Sequence, residues 1–292
     1  MKTYAYRKAD AFTSAESQGN PAACIWLGEN ERLTDEEMQK IAAQHKGFVT
    51  EVVFCKKEAD SYALAYYSSE SEVPFCGHGT IACMHTLIKE TPELLAQNQM
   101  TVHTRRKGSI TVYNRIADTN AVFITAPAKI EMPVPVTAKE IAAALQVDGG
   151  MLSDEYPLDF IDAGNKTLII PLWTLADEVS IFPDEAVLKA FSLAHGIDVI
   201  LIFCMDTADP AHRAHTRVFA PAYGYLEDPA TGSANSAFGY YMLKHGMWDG
   251  DAITLEQGGN DRVYNVVSLL MQGKDLLFGG SATTRIAGHY FV

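Results

Sequence analysis

Basic charge is in short supply: 23 lysines and arginines stand against 36 aspartates and glutamates in 292 residues, a formal net charge of −13. A field of that sign repels phosphate backbones and anionic headgroups, which excludes nucleic acid and anionic membrane surfaces as partners. Paired cysteines are missing as well. The five present, Cys24, Cys55, Cys76, Cys83 and Cys204, are odd in number, form no C-x-x-C pair and sit mostly in apolar runs. That pattern fits reduced thiols in a cytoplasm rather than a disulfide framework. No uninterrupted apolar run approaches the roughly 18 residues of a membrane-spanning helix. The stretch from Met1 to Asp10 lacks the apolar core and small-residue cleavage site of a signal peptide. What remains, 48% apolar and 20% charged, is the composition of a globular chain of one large or about two domains.

The chain repeats itself. Residues 35–55 align without a gap to residues 184–204, with Asp35/Asp184, Glu36/Glu185, Lys40/Lys189, Gly47/Gly196, Phe54/Phe203 and Cys55/Cys204 in register. Upstream, Gly19-Asn20 and the apolar run after it resemble Gly164-Asn165 and its own run; downstream, Glu72, Pro74 and Gly77 match Glu227, Pro229 and Gly232. Three blocks in one order predict a duplicated fold. Each copy reads as strand, Gly-Asn turn, strand, helix, further strands and a second helix. Thr34 with Glu37, and Thr137 with Glu140, have the spacing of capping boxes, and Gly47 and Gly196 suit left-handed helix ends. The β-rich runs 48–54 and 197–203 predict strands, and the later helices, near 79–89 and 233–245, are apolar over most of their surface, which predicts burial.

The expected architecture is therefore α+β: two pseudo-symmetric halves, each a barrel-like, mostly antiparallel sheet wrapped around a central helix. The proline-rich stretch 124–135 places the boundary, giving halves of 1–128 and 129–292. The last strand, near 286–292, is free to close its own half or to cross back to the first.

Chemistry is sought where the copies disagree. Glu51 lies in an apolar run and aligns with Ile200; strand alternation puts it on one face with Val49 and Val53. A buried, unpaired carboxylate raises its pKa, and such a group can take and return a proton near neutrality. An edge-strand glutamate facing water is the competing reading. The turns holding Gly77, Gly79 and Thr80, and Thr231 and Gly232, each open an apolar helix. Helix N-termini bind anions, so two such turns facing each other across a cleft suit a small-molecule carboxylate substrate; turns needed only for packing would look the same. His78 aligns with Ser233 and Asp228 with Val73. In that cleft His78 would donate a proton, Asp228 orient a partner and Ser233 hydrogen-bond substrate, although a lone turn histidine also serves structure alone.

These residues resemble the signature series of the PhzF-like phenazine biosynthesis family. It is carried by Asp10-Ala11-Phe12-Thr13, Gly19-Asn20-Pro21, Thr50-Glu51-Val52-Val53-Phe54, Pro74-Phe75-Cys76-Gly77-His78-Gly79-Thr80, Arg217-Val218-Phe219-Ala220-Pro221, the run from Glu227 to Ala234, Glu256-Gln257-Gly258 and Gly279-Gly280. The resemblance implies a diaminopimelate-epimerase-like fold, a homodimer, an active site between the halves and no metal or organic cofactor. In the best-understood members a glutamate shifts a proton within a dihydro-hydroxyanthranilate. That role falls here on Glu51, with His78, Asp228 and Ser233 in support and the glycine turns lining the site. Val52 and Gly79 depart from the family's usual small polar residue and alanine, which leaves substrate shape open.

The expected function is a cofactor-independent isomerase that shifts a proton on a small carboxylate-bearing metabolite. A two-base racemase would need an acid/base at Thr231, the repeat partner of Cys76, and a hydroxyl is too weak for that. A non-catalytic binding relative would have no need of Glu51, His78 and Asp228 together. His212 and His215 have metal-ligand spacing but no third ligand, and read as solvated loop histidines.

Overall fold

The computed structural model describes residues 2–14, 16–59, 61–259 and 262–292. Its contacts divide the chain into two units, Met1–Thr125 with Gly279–Val292, and Ala126–Phe278.

The first unit runs β1 (Thr3–Ala11), β2 (Asn20–Leu27), α1 (Asp35–Gln44), β3 (Glu51–Lys57), β4 (Tyr62–Ser68), β5 (Glu72–Val73), α2 (Gly77–Glu90), α3 (Pro92–Leu95), β6 (Gln99–Thr104), β7 (Gly108–Arg115), α4 (Ile116–Thr119) and β8 (Ala121–Thr125). β2 pairs antiparallel with β1 and parallel with β3; β4 then joins antiparallel, β6 parallel to β4, and β7 and β8 antiparallel in turn. The chain's final strand, Ala282–Phe291, returns to the open side of β1, with Thr3 opposite Phe291 and Ala11 opposite Ala282.

The second unit runs β9 (Ile130–Met132), α5 (Ala138–Leu145), β10 (Asp159–Asp162), β11 (Lys166–Pro171), α6 (Leu175–Val179), α7 (Glu185–His195), β12 (Val199–Cys204), β13 (His215–Phe219), β14 (Glu227–Asp228), α8 (Gly232–Lys244), β15 (Ile253–Gln257), β16 (Asn265–Gln272) and β17 (Asp275–Gly280); the final strand is β18. From β9 through β10, β11, β12, β13 and β15 to β16 the pairings repeat those of the first unit in order and direction, with β9 in the place that β18 takes beside β1.

Alternation explains the layering. In the first unit Ala23, Ile25, Val52, Phe54, Ala65 and Tyr67 form one apolar cluster with Met38, Ile41 and Ala42 of α1. The intervening residues, among them Cys24, Val53, Cys55 and Tyr66, are equally buried and face α2, every residue of which from Gly79 to Ile88 is buried. The second unit repeats this: Ile200, Ile202 and Cys204 join Ile141, Leu145 and Leu188 of α5 and α7, while the Phe203 ring lies 4.5 Å from that of Phe238 in α8. Burial of each large side chain contributes about 1.5–3 kcal/mol. Among the described residues no helix is long and apolar enough to cross a membrane.

Four expectations need correction. The expected boundary after residue 128 moves to Thr125/Ala126, and of the two courses left open for the last strand the chain takes the return to the first unit, with Gly279–Val292. The strand expected at 48–54 starts only at Glu51, because the amides of Phe48 and Val49 bond back to the His45 carbonyl in the turn that leaves α1. The repeat alignment slips by one residue at this strand: Ala22 lies opposite Glu51 as Thr167 lies opposite Val199, so Val199, not Ile200, is the counterpart of Glu51. A one-residue slip exchanges faces, which is why Phe54 and Phe203 lie on opposite sides of their sheets. Lastly, His215 is no solvated loop residue. It lies on β13, fully buried, with Nδ1 3.2 Å from Glu178 Oε2.

Candidate functional site

Glu51 opens β3 on the face it shares with Val53, and that face looks at the start of α2. There Cys76 holds the N-cap in extended geometry (φ −134°, ψ 110°), its Sγ accepting the Gly79 amide at 3.3 Å. Gly77 and His78 make the first turn, which carries His78 to Glu51: Nε2 is 3.3 Å from Glu51 Oε2 and 3.3 Å from Thr50 Oγ1, and Nδ1 is 3.5 Å from Cys76 Sγ. The two side chains are largely buried, 14% exposed for His78 and 20% for Glu51.

Charge follows from that contact. Burial pushes the Glu51 carboxyl up, but the His78 ring and the Thr50 hydroxyl outweigh it, so its pKa lies below the usual carboxylate value. Burial likewise opposes a charged His78, yet the Cys76 sulfur and Glu51 carry its pKa well above the ordinary histidine value. The expected raised carboxyl is therefore corrected: the pair rests as carboxylate and imidazolium, with the proton on the ring. Burial also raises the Cys76 thiol, with Glu51 adding to the effect.

The neighbours are closely fitted. A Cβ on Gly79 would meet Val53 Cγ2 at 2.8 Å and Cys76 Sγ at 2.9 Å, so alanine does not fit here while valine stands at position 53. Thr80 is fully buried; its hydroxyl donates to the Cys76 carbonyl at 2.7 Å and meets Tyr66 Oη at 2.7 Å. It holds the turn in shape.

The second unit builds the same turn with other side chains. Thr231 is the N-cap of α8 (φ −124°, ψ 103°), but makes no side-chain cap. Its hydroxyl donates instead to Asp228 Oδ2 and accepts from Gln257 Nε2, while its amide donates to Gln257 Oε1 at 2.7 Å. Gln257 also binds the Asp228 carbonyl at 2.9 Å and accepts from Asn235 Nδ2 at 2.6 Å. Ser233 accepts from Asn165 Nδ2 at 2.7 Å, and Asn165 Oδ1 accepts from the Tyr223 hydroxyl at 2.9 Å. A Cβ on Gly232 would lie 2.2 Å from the Phe278 ring, so packing alone demands glycine there.

The first unit thus unites Glu51, His78, Gly77, Gly79 and Thr80, and the second unites Asp228, Thr231, Gly232 and Ser233. Sequence reasoning missed four contributors. Cys76 entered only as the repeat partner of Thr231 and within a signature run, Asn165 only as half of a Gly-Asn turn, and Gln257 only as part of a Glu-Gln-Gly signature. Tyr223 gave no signal. Among the described residues, Glu51, Cys76 and His78 also form the cluster whose donor atoms could converge on a metal ion, all within 4.8 Å of one another.

Comparison with known proteins bears on this geometry. The family model described as phenazine biosynthesis-like protein matches residues 9–284. An uncharacterized isomerase of Clostridium acetobutylicum is 28% identical, covering 84% of this chain and 81% of its own length. The trans-2,3-dihydro-3-hydroxyanthranilate isomerase of Pseudomonas chlororaphis is 26% identical, covering 85% of this chain and 84% of its own. The crystal structure of a PhzF-family phenazine biosynthesis protein from Bacillus anthracis superposes with a TM-score of 0.85 over 100% of both chains at 24% identity, a likeness of fold.

Proposed function

The chain belongs to the phenazine biosynthesis-like family of isomerases, and from that premise we propose that it shifts a proton between positions of a small carboxylate-bearing metabolite, with Glu51 as the group that carries it. The contact of Glu51 with His78 supports this reading. A carboxylate held below its usual pKa is ionised at neutral pH and free to accept a proton, as a weaker base than a carboxyl tuned toward the working pH. The imidazolium beside it steadies the anion before the transfer and donates toward negative charge that grows on the substrate. Once protonated, Glu51 returns the proton at the new position and the pair is restored. No net redox change occurs, and no outside proton donor is consumed.

By the family resemblance Asp228 and Ser233 support the proton transfer and Thr231 and Gly232 bind substrate; within the second unit Gln257 holds Asp228 and Thr231, and Asn165 holds Ser233. The five cysteines, all free and buried, support a reducing, cytoplasmic setting, and the homodimer implied by the resemblance is kept with this reading.

The test is exchange in heavy water. Wild type and Glu51→Gln are incubated with a panel of small cyclic and acyclic carboxylates, including trans-2,3-dihydro-3-hydroxyanthranilate, and C–H exchange is followed by NMR. Exchange by wild type, lowered about 10²- to 10⁴-fold in Glu51→Gln, is expected of a lost general base. Equal exchange by both proteins, or none by either, sinks the assignment.

A further inference from the structure

The same three side chains have the chemistry of a soft-metal site. His78 Nε2 lies 3.3 Å from Glu51 Oε2 and 3.8 Å from Cys76 Sγ, and the three donor atoms fall within 4.8 Å of one another. Tetrahedral zinc, with bonds of about 2.0–2.3 Å to nitrogen, oxygen and sulfur, holds its ligand atoms roughly 3.3–3.7 Å apart. The two distances from His78 Nε2 already have nearly that spacing, so an ion could enter with small side-chain adjustments, its binding releasing the His78 ring proton and the Cys76 thiol proton to solvent. A second observation is independent of spacing: Glu51 Oε2 is buried, and beyond its charge contact with His78 it makes no hydrogen bond of proper geometry. One thiolate, one imidazole and one carboxylate leave a fourth position open, as in zinc sites that exchange a ligand. That donor mixture disfavours magnesium and calcium, which prefer oxygen alone.

We propose that Glu51, Cys76 and His78 bind Zn²⁺, and that the ion inhibits the isomerase by occupying the groups that move the proton. The binding half stands on the cluster alone; the inhibition half rests on the function proposed above. Zinc here is a regulator that must leave before turnover, not a cofactor. Cys76 gives the site its preference, since a glutamate and a histidine alone would hold a divalent ion weakly.

The experiment titrates Zn²⁺, Co²⁺ and Mg²⁺ separately into metal-free wild type, Cys76→Ala and His212→Ala. Calorimetry counts sites, and the cobalt form is read for the thiolate-to-metal charge-transfer band. One zinc per chain is expected in wild type and His212→Ala, with that band present, binding weakened at least about tenfold in Cys76→Ala, and no heat with magnesium. Zinc should suppress C–H exchange in wild type, and a chelator should restore it. Absence of the charge-transfer band in wild type overturns the site without recourse to any variant, as does unchanged binding in Cys76→Ala. Zinc bound through Cys76 with exchange undiminished overturns the inhibition and, with it, the placement of proton transfer at Glu51 and His78. Exchange lost in Glu51→Gln while wild type binds no zinc overturns the zinc site alone.

Discussion

His215 and Glu178 place an ion pair where water does not reach, both side chains being fully buried in the second unit. Burial opposes charge on the ring, but Glu178, helped by Glu256, outweighs both burial and the nearby Arg217, so the His215 pKa stands above its usual 6.5. Cys204 completes the surroundings, its Sγ donating to Glu178 Oε2 at 3.0 Å. A group whose pKa is raised by folding contributes stability that is complete below its unfolded value and lost as pH climbs through the folded one. Urea midpoints of wild type should therefore fall relative to those of His215→Gln as the buffer is taken upward from about pH 6.5; parallel curves for the two proteins would contradict the raised pKa. None of this was legible in sequence, where His215 was seen only through its spacing from His212. Its partner Glu178 stands on another element, and only the folded sheet brings the two together. Glu51 and His78 were legible for the opposite reason: a duplicated chain carries its own reference, and a carboxylate or imidazole with no like residue in the other copy stands out without any contact being known.

At the scale of elements, short-range signals were read best. Thr137 and Glu140 form the expected capping box at α5, the Thr137 amide donating to Glu140 Oε2 at 2.8 Å and the Glu140 amide to the Thr137 hydroxyl at 3.3 Å. Thr137→Ala leaves one helix amide without its acceptor and should cost about 1 kcal/mol. A lower urea midpoint at an unchanged denaturant slope would bear that out, while an unshifted midpoint would mean that solvent caps the helix as well. The start of β3 was misread because residues 48–50 continue the apolar pattern of the strand, whereas the end of α1 takes up the amides of Phe48 and Val49. Hydrophobic alternation says which residues want burial; backbone hydrogen bonds decide where the strand begins. The same limit explains the slipped repeat. A gapless alignment crosses two helix-to-strand turns of unequal length, residues 45–50 and 196–198, and composition alone does not show which turn is longer.

For the molecule as a whole, the repeat foretold two copies of one pattern but not how the chain completes them. β9 precedes the strands it joins, whereas the equivalent place beside β1 is filled by β18, from the far end of the chain. No local pattern encodes that choice, because β18, with residues 284–287 all exposed, carries no alternation that would mark it for either unit. The return of β18 also sets an order of assembly on the ribosome. β1 emerges before every other strand of its unit and its outer partner β18 only after the second unit, so the first unit waits with an unpaired edge while the second already holds its ladder from β9 to β16. Nascent chains stalled with Phe278 as their last exposed residue should be cut readily by protease within residues 2–125 and resist within 126–278; equal protection of both segments would refute this order. Until β18 returns, the open side of β1 is a place where another strand could pair wrongly.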